Sequence, residues 1–371
     1  MHSKAINIQN YFSNNYSEGR TRFLNACEKN NLTVKSFIHP NHKGPSKEDL
    51  AADTAWIGPK NAAKVLMVLC GTHGLEASTG AATILQFLET TPQTHLPDNT
   101  AILLVHPVNP YGWAYDRRGN EDGIDLNRNF LDHTKPYPAN PAYDTLHSLI
   151  KSANVDEDGL IEFTATFHRY VETYGMAQAV SGITAGQYKH PDGMSFGGSA
   201  PSWSVQTLFK IANQYLTEAK NVILLDWHTG IGDFGKPYFI MDAPVLSAEF
   251  KRASSWWLKH NIHSDDILDG ASPNYTGLLI KGMKEKIKYL NQVEITSVVI
   301  EWGTYKLDAM LQSLLMDDWL KSNRDIDASI TKQVRIQLRD RFCPENPDWR
   351  QAVLKQAPTL YMQALEGLKN W

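Results

Sequence analysis

The apolar residues of this chain form short continuous runs separated by amphipathic stretches. Runs with the character of strands lie at residues 34–39, 64–70, 99–106, 221–227, 238–241 and 295–300. Most of them are apolar throughout rather than alternating, which is typical of strands covered on both faces. Helix-like segments occupy residues 76–89, 144–151, 162–174, 203–219, 248–260 and 309–323. This alternation predicts an α/β fold, a three-layer sandwich with helices on both sides of a sheet.

The last part of the chain has a different character. Residues 306–371 show a helical pattern without a convincing strand, and Pro344, Pro347 and Pro358 interrupt it. We interpret 306–371 as a helical extension packed on a single domain that spans 1–371. A separate oligomerisation element is the alternative.

Composition narrows the classes of function. The chain has 371 residues, of which 42% are hydrophobic and 20% charged, so it can bury a large core. The formal net charge is −4 and the two signs of charge are interleaved, which argues against a nucleic-acid partner. The longest apolar runs are far shorter than the roughly 20 residues that span a bilayer, and the first residues contain no apolar export segment. We therefore expect no membrane partner and a cytoplasmic location.

Four polar segments lie where strand-like runs end, at residues 72–76, 125–130, 226–228 and 300–302. In open α/β sheets, ligands bind beyond the carboxyl ends of the strands, so these segments can converge at one rim. Two histidines and one glutamate are a known ligand set for a catalytic zinc. His73 and Glu76 are three residues apart and can face one point, and His228 follows a buried-looking strand. Taken alone, a pair such as His73 and Glu76 or a histidine such as His228 is more often a structural or solvated residue. Their occurrence together favours a metal site.

Three carboxylates stand beside these candidate ligands. Asp125 and Asp226 could accept the second ring N–H of metal-binding histidines. For Asp226, a cap or surface role is an equal alternative. Glu301 follows a β-branched run and precedes Trp302, and partial shielding from water would raise its pKa and let it transfer protons near neutral pH. The alternative for Glu301 is a salt-bridged carboxylate at the sheet edge.

Residues 111–130 form a loop-rich segment with two arginine positions, Arg118 and Arg128, separated by turn residues. The planar fork of arginine donors suits a carboxylate or a developing oxyanion. Beside a metal, two arginines divide naturally into a substrate clamp and a transition-state stabiliser. The alternative is a surface loop with structural ion pairs.

These segments resemble the zinc carboxypeptidase family, the carboxypeptidase A-like metallopeptidases, with their succinylglutamate desuccinylase and aspartoacylase relatives. The matching pieces occur in the family's order: HGLE at 73–76, NPYG at 109–112, RGN at 118–120, GIDLNRNF at 123–130, WH at 227–228 and Glu301. They cover residues 64–305, and the stretch 118–130 is the specific part. The resemblance implies a mixed, mostly parallel central sheet of about eight strands flanked by helices.

The resemblance also implies roles at the metal. His73, Glu76 and His228 would bind one Zn²⁺ per chain, Glu301 would act as general base and acid, and Asp125 would orient His73.

Further roles concern the substrate. Arg118 would stabilise the oxyanion, and Asn127 and Arg128 would hold a terminal carboxylate. Tyr275 is a candidate for the substrate-binding tyrosine of the digestive carboxypeptidases.

Two features depart from the family pattern. Tyr111 stands where the family commonly has Asp, which affects the turn at 109–112. The chain between Glu76 and His228 is longer than expected, and its glycine-rich part, 186–198, could be a loop over the site or a plain connection.

A complete ligand set with a base and an anion clamp predicts a zinc-dependent hydrolase that cleaves an amide bond adjacent to a free carboxylate. The simplest form is a metallocarboxypeptidase acting on a peptide. Deacylation of an N-acyl amino acid is the alternative within the hydrolases. A catalytically inactive, metal-containing binding protein is the alternative outside them. Side-chain preference and oligomeric state stay open.

Overall fold

An eight-stranded mixed sheet lies at the centre of the fold. The structure is a computed structural model that describes residues 8–90, 96–264, 275–290, 292–323, 325 and 328–371. The strands, in chain order, are β1 (Val34–Lys43), β2 (Asp49–Ile57), β3 (Lys64–Cys70), β4 (Thr100–His106), β5 (Asn221–Gly230), β6 (Pro237–Ile240), β7 (Ile262–His263) and β8 (Glu294–Gly303). They lie side by side in the order β1-β2-β4-β3-β5-β8-β6-β7.

Most neighbouring strands run parallel. The parallel pairs are β4–β3, β3–β5, β5–β8 and β6–β7, whereas β1–β2, β2–β4 and β6–β8 are antiparallel. Central strand β3 is buried on both faces from Val65 to Cys70. Its continuous apolar sequence thus corresponds to a strand covered on both faces, as predicted.

Helices cover both faces of the sheet. In the described part of the chain they are α1 (Tyr16–Lys29), α2 (Ala77–Thr90), α3 (Pro110–Ala114), α4 (Pro141–Ser152), α5 (Glu157–Tyr174), α6 (Met176–Thr184), α7 (Trp203–Tyr215), α8 (Ala248–Trp256), α9 (Leu279–Leu290), α10 (Leu307–Ser322), α11 (Ser329–Phe342) and α12 (Pro347–Lys369). Leu66 and Val68 of β3 point into a core with α1, α2 and α12, while Val65 and Met67 point into a second core with α7 and α9. The predicted α/β sandwich with a mixed, mostly parallel sheet is confirmed.

A third apolar core is built from helices rather than strands. It is formed by side chains of α4, α5, α6, α10 and α11. Leu75, in the short 3-10 helix Gly74–Glu76 after β3, joins this core to the sheet. The predicted extension 306–371 is thus divided, because α10 and α11 belong to the third core and α12 packs on the sheet. A single domain over 1–371 stays a prediction.

Several elements differ from the sequence prediction. The pattern misses β2, in which half of the apolar residues are alanines and Asp53 interrupts the run. The Asp53 carboxylate is buried and pairs with Arg20 of α1 at 2.7 Å. The pattern also misses the two-residue β7 and the helices α1, α3, α6 and α9. β5 and β8 run three residues beyond the predicted ends, to Gly230 and Gly303, because their parallel pairing continues.

None of the described helices is long and apolar enough to cross a membrane. The first residues, on which the expectation about export depends, lie outside the described residues. The cytoplasmic location stays a prediction.

Candidate metal centre and cavity

The turn after β3 carries the first two candidate ligands to the rim of the sheet. The chain leaves β3 through Gly71 (φ +69°), where a Cβ would lie 2.8 Å from Ala77 Cβ, so the turn requires glycine. His73 follows this turn, and Glu76 ends the 3-10 helix that leads into α2.

The sequence pattern predicts that His228 and Glu301 follow their strands. In the structure both residues lie inside the strands, His228 in β5 and Glu301 in β8. The continued pairing of β5 with β8 places His228 directly opposite Glu301. Both residues are buried. Because β8 lies between β5 and β6, Glu301 belongs to the interior of the sheet near its carboxyl rim.

Three side chains converge as possible metal ligands. The Nδ1 atoms of His73 and His228 lie 2.8 Å and 3.1 Å from the two carboxylate oxygens of Glu76. All three residues are buried, and one ligand atom of each lies within 4.8 Å of the others. No other group of histidine, cysteine, aspartate or glutamate side chains meets this spacing among the described residues.

Each histidine directs its second nitrogen to a carboxylate. His73 Nε2 lies 3.0 Å from Asp125 Oδ1, and His228 Nε2 lies 2.7 Å from Asp226 Oδ2. Asp226 also accepts hydrogen bonds from Thr72 Oγ1 at 2.9 Å and 3.0 Å and is fully buried, so a surface role for it is wrong. Carboxylates in this position orient a metal-binding imidazole.

The charges of this cluster fit a bound cation. Burial raises the pKa of the Glu76 carboxyl, but the two neighbouring imidazoles outweigh burial and bring that pKa below its usual range. Burial lowers the pKa of His228, but the Asp226 and Glu76 carboxylates outweigh it and hold that pKa well above its usual value. Positive charge between its members, from protons or a metal ion, would therefore stabilise the cluster. Since each Nε2 already contacts a carboxylate, each Nδ1 can serve the ion.

Arg118 borders the same cluster. Its Nη1 and Nη2 lie 3.2 Å from Glu76 Oε1 and 3.2 Å from Asp125 Oδ2. Burial lowers the pKa of Arg118, but these carboxylates outweigh burial and raise it. The guanidinium is therefore a fixed positive charge next to the candidate ligands.

Backbone carbonyls hold Arg128. Its Nε and Nη2 donate to Thr184 O at 2.8 Å and 2.6 Å, and its Nη1 donates to Asn127 O at 2.7 Å. The Tyr275 ring lies 4.4 Å from the guanidinium carbon. No carboxylate in the described ranges forms a direct ion pair with Arg128, although Asp125 is near enough for the two charges to interact. Arg128 also lines the cavity described below.

Asn127 is oriented by α9. Its Oδ1 accepts a hydrogen bond from Leu279 N at 2.8 Å, at the first residue of that helix. Asn127 lines the cavity described below, and its amide nitrogen is a potential donor.

A cavity of about 520 Å³ joins these groups. The sequence-predicted residues among its lining are His73, Glu76, Arg118, Asn127, Arg128, Tyr275 and Glu301. Asp125 and Asp226 stand behind the histidines. The structure thus brings every candidate site residue to one place, while the role of each stays a prediction.

One wall of the cavity was not foreseen. It consists of Leu307, Met310, Leu311 and Leu314 of α10 with Phe342 of α11. The helical spacing of the α10 residues is visible in the sequence, but it is indistinguishable there from an ordinary buried face. Tyr238 and Tyr305 also line the cavity and were not predicted.

The glycine-rich segment 186–198 lies behind Arg128 and Asp125. At Gly186 (φ +101°) a Cβ would lie 2.8 Å from Arg128 Cδ, and Phe196 O accepts a hydrogen bond from Asp125 N at 2.8 Å. All of this segment is described, and none of its residues lines the cavity. It supports Arg128 and Asp125 from behind and does not cover the site.

A family model for "Protein of unknown function (DUF2817)" matches residues 12–356. The chain belongs to the DUF2817 family. A search of curated proteins gives no match to this DUF2817 chain.

Several solved structures are similar to the DUF2817 chain. A candidate metallopeptidase from Shewanella amazonensis SB2B shares 15% identity over 89% of this chain and 94% of that one, with a TM-score of 0.43. Carboxypeptidase A from Helicoverpa armigera shares 12% identity over 96% and 77%, with a TM-score of 0.45. A candidate succinylglutamate desuccinylase/aspartoacylase from Shewanella frigidimarina NCIMB 400 shares 14% identity over 80% and 72%, with a TM-score of 0.38. These similarities concern the fold alone.

Proposed function

We propose that this protein is a metal-dependent hydrolase that cleaves an amide bond next to a free carboxylate. The observation that supports this most is the convergence of His73, Glu76 and His228, with both outer ring nitrogens on buried carboxylates. The same cavity contains Glu301 and two arginines. Ligands for a metal, an acid–base group and an anion-binding group are together what this reaction needs.

His73, Glu76 and His228 would hold the ion, and zinc is the expected metal because it favours such a set with one position open. When bound, the ion would lower the pKa of a water molecule and polarise the amide carbonyl. Asp125 and Asp226 keep the two imidazoles in orientation through their contacts at 3.0 Å and 2.7 Å.

Glu301 would act as the general base and then the general acid. Its carboxylate takes a proton from the attacking water as the new C–O bond forms, and returns a proton to the amide nitrogen as the C–N bond breaks. Its position in register with His228 supports this role, because the base must lie beside the ligands. Ile231 N lies 3.5 Å from Glu301 Oε2 on the cavity side.

Arg118 would stabilise the negative charge that develops on the carbonyl oxygen. Its guanidinium is held in advance by Glu76 and Asp125, so little reorganisation is needed during the reaction.

Arg128 and Asn127 would bind the substrate carboxylate. Arg128 brings guanidinium N–H groups that form no direct ion pair within the described part of the chain, and Asn127 adds an amide donor. Tyr275 packs on Arg128 and would contact the substrate beside that carboxylate. The substrate is then a peptide with a free C-terminus or an N-acyl amino acid.

Replacing Glu301 with Gln tests this proposal. We expect Glu301→Gln to retain about one zinc per chain while losing roughly 100- to 10,000-fold in kcat, the usual contribution of a general base. Glu294→Gln is a matched control, since Glu294 is exposed at the start of the same strand. Full activity in Glu301→Gln would contradict the mechanism.

Substrate comparison separates the remaining alternatives. Blocked dipeptides and N-acetyl or N-succinyl amino acids, assayed with the zinc-loaded protein, distinguish a carboxypeptidase from a deacylase. Full zinc occupancy with no hydrolysis across both classes would instead support a binding protein without catalysis.

A further inference from the structure

The apolar wall of the cavity comes from outside the segments that carry the candidate catalytic groups. Leu307, Met310, Leu311 and Leu314 follow the i, i+3, i+4, i+7 spacing of one helix face on α10. Phe342, the last residue of α11, completes the wall.

Only part of this face is covered by the third core: Leu311 is buried in it, while Leu307, Met310 and Leu314 pack at its edge. A different stripe, which includes Leu315 and Met316, is fully buried in the third core. Leu307, Met310 and Leu314 are only partly buried, because they face the cavity. Apolar side chains that line a cavity favour an apolar ligand, which removes them from water.

The wall borders the group that would transfer protons. A Cβ placed on Gly230 would lie 3.4 Å from Met310 Cε, 4.0 Å from Phe342 Cε1 and 4.0 Å from Glu301 Oε2. The apolar side chains and the Glu301 carboxylate therefore surround the same part of the cavity.

Arg128 lies in a different part of the cavity. Its guanidinium contacts Thr184, Asn127 and Tyr275, none of them in α10 or α11. A substrate whose carboxylate meets Arg128 and whose carbonyl carbon lies near Glu301 extends its acyl side toward the wall.

Building on the proposed function, we propose that the group on the acyl side of the scissile amide is apolar. The substrate class is then an N-acyl amino acid with an aliphatic or aromatic acyl group, or a peptide with an apolar residue before the scissile bond. An acidic acyl group such as succinyl would lose hydration against leucine and methionine side chains. Of the other cations that line the cavity, Arg118 is paired with carboxylates and Lys306 is exposed at its rim.

The test compares acetyl, butanoyl, hexanoyl and succinyl groups on the same amino acid, alanine, with the zinc-loaded protein. We expect kcat/KM to rise by up to about fourfold for each added methylene, the value for burying one CH₂ group. Succinyl-alanine should be no better than acetyl-alanine.

Variants of the wall link the preference to α10. Leu314→Ala should reduce the hexanoyl-to-acetyl ratio of kcat/KM by about tenfold, the effect of a lost pocket contact. Met310→Ala, at another partly buried position of the wall, repeats the test independently of Leu314. Asp308→Asn, at an exposed α10 position away from the cavity, should keep the ratio of the wild type.

Binding to the zinc-loaded Glu301→Gln variant, measured by calorimetry, separates this inference from the proposed function. Hydrolysis without dependence on acyl length, or with a preference for succinyl, would overturn the apolar acyl site and leave the hydrolase intact. Tighter binding of hexanoyl-alanine than of acetyl-alanine, without hydrolysis of either by the wild type, would overturn only the hydrolase. Equal affinities and no hydrolysis would overturn both.

Discussion

Asp226 is buried in β5 and contacts both Thr72 and His228. Asp226 contacts Nε2 of His228, whereas Glu76 contacts Nδ1 on the opposite side of the ring. Asp226 therefore does not touch the atoms that would bind the ion. Its effect on a metal ion is therefore indirect, through the orientation and basicity of His228.

We predict that Asp226→Asn weakens zinc binding by about 10- to 100-fold, the usual cost of losing a carboxylate behind a metal-binding histidine. Competition with a chelating dye measures this affinity. Asp132→Asn is a matched control on an exposed carboxylate that does not line the cavity. An unchanged affinity in Asp226→Asn would speak against its proposed role.

Arg128 gives a prediction about recognition. Arg128→Gln should raise KM for a substrate with a free carboxylate on the order of 100-fold, because a buried charge-assisted contact is lost. The carboxamide form of the same substrate should change little. Steady-state kinetics on this pair of substrates, for wild type and variant, measures the effect. Equal losses on both substrates would assign Arg128 a structural role instead.

At the scale of elements, the sequence predicts a strand best where both faces are buried. The pattern predicts β3 over residues 64–70, and the strand spans Lys64–Cys70, because its residues after Lys64 are apolar throughout and covered on both faces. β5 and β8 were predicted too short, because His228 and Glu301 end the apolar run although the parallel hydrogen bonds continue. Apolar patterning therefore does not predict the ends of β5 and β8, the two strand ends that carry His228 and Glu301.

The convergence of His73, Glu76 and His228 could be predicted because metal chemistry requires rare residue types at special places. HxxE after a strand and a histidine in a buried strand are such signals. The apolar wall could not be predicted, because leucines at helical spacing have the same appearance in a core and in a cavity. Only tertiary structure shows that α10 faces Gly230 and Glu301.

Asp317 of α10 gives a prediction at this scale. Its Oδ1 accepts hydrogen bonds from Arg118 N and Arg117 Nε, each at 2.9 Å, so it ties α10 to the segment that carries Arg118. Asp317→Ala should lower kcat about 10- to 100-fold with little change in KM, because misplacing Arg118 affects the transition state. Asp317→Asn should retain more activity, since its amide oxygen can still accept these bonds. A change in KM alone would contradict this positioning role.

At the scale of the whole molecule, the cavity lies between the sheet and the third core. The sheet side supplies His228 and Glu301, and the helical side supplies the α10 wall. Leu75 joins the two sides next to the candidate ligands His73 and Glu76. Metal binding and global stability are therefore expected to be linked, as for any ligand that binds only the folded state.

Global stability should also depend on His106. This residue stacks on Phe23 at 4.4 Å, and burial lowers its pKa to about 4. In the unfolded chain the imidazole of His106 has a pKa near 6.5, whereas in the folded chain it is protonated only at about pH 4. His106 therefore contributes stability that is present above pH 6.5 and is lost as the pH falls toward 4, by roughly 3 kcal/mol in total.

We predict that His106→Phe flattens this part of the pH dependence. Urea unfolding of the zinc-free protein at pH 7.5, 6.5, 5.5 and 4.5 measures the free energy of unfolding for both proteins. The comparison at pH 7.5 is the internal control, because the histidine is neutral there in both states. Parallel curves below pH 6.5 would show that another group causes the loss.

The central claim is that His73, Glu76 and His228 bind one metal ion, and anomalous diffraction at the zinc edge from zinc-loaded crystals tests it most directly. The account predicts one peak per chain at about 2.0–2.2 Å from Nδ1 of both histidines and from the Glu76 carboxylate. A peak bound elsewhere, or no peak between these three side chains, would contradict it.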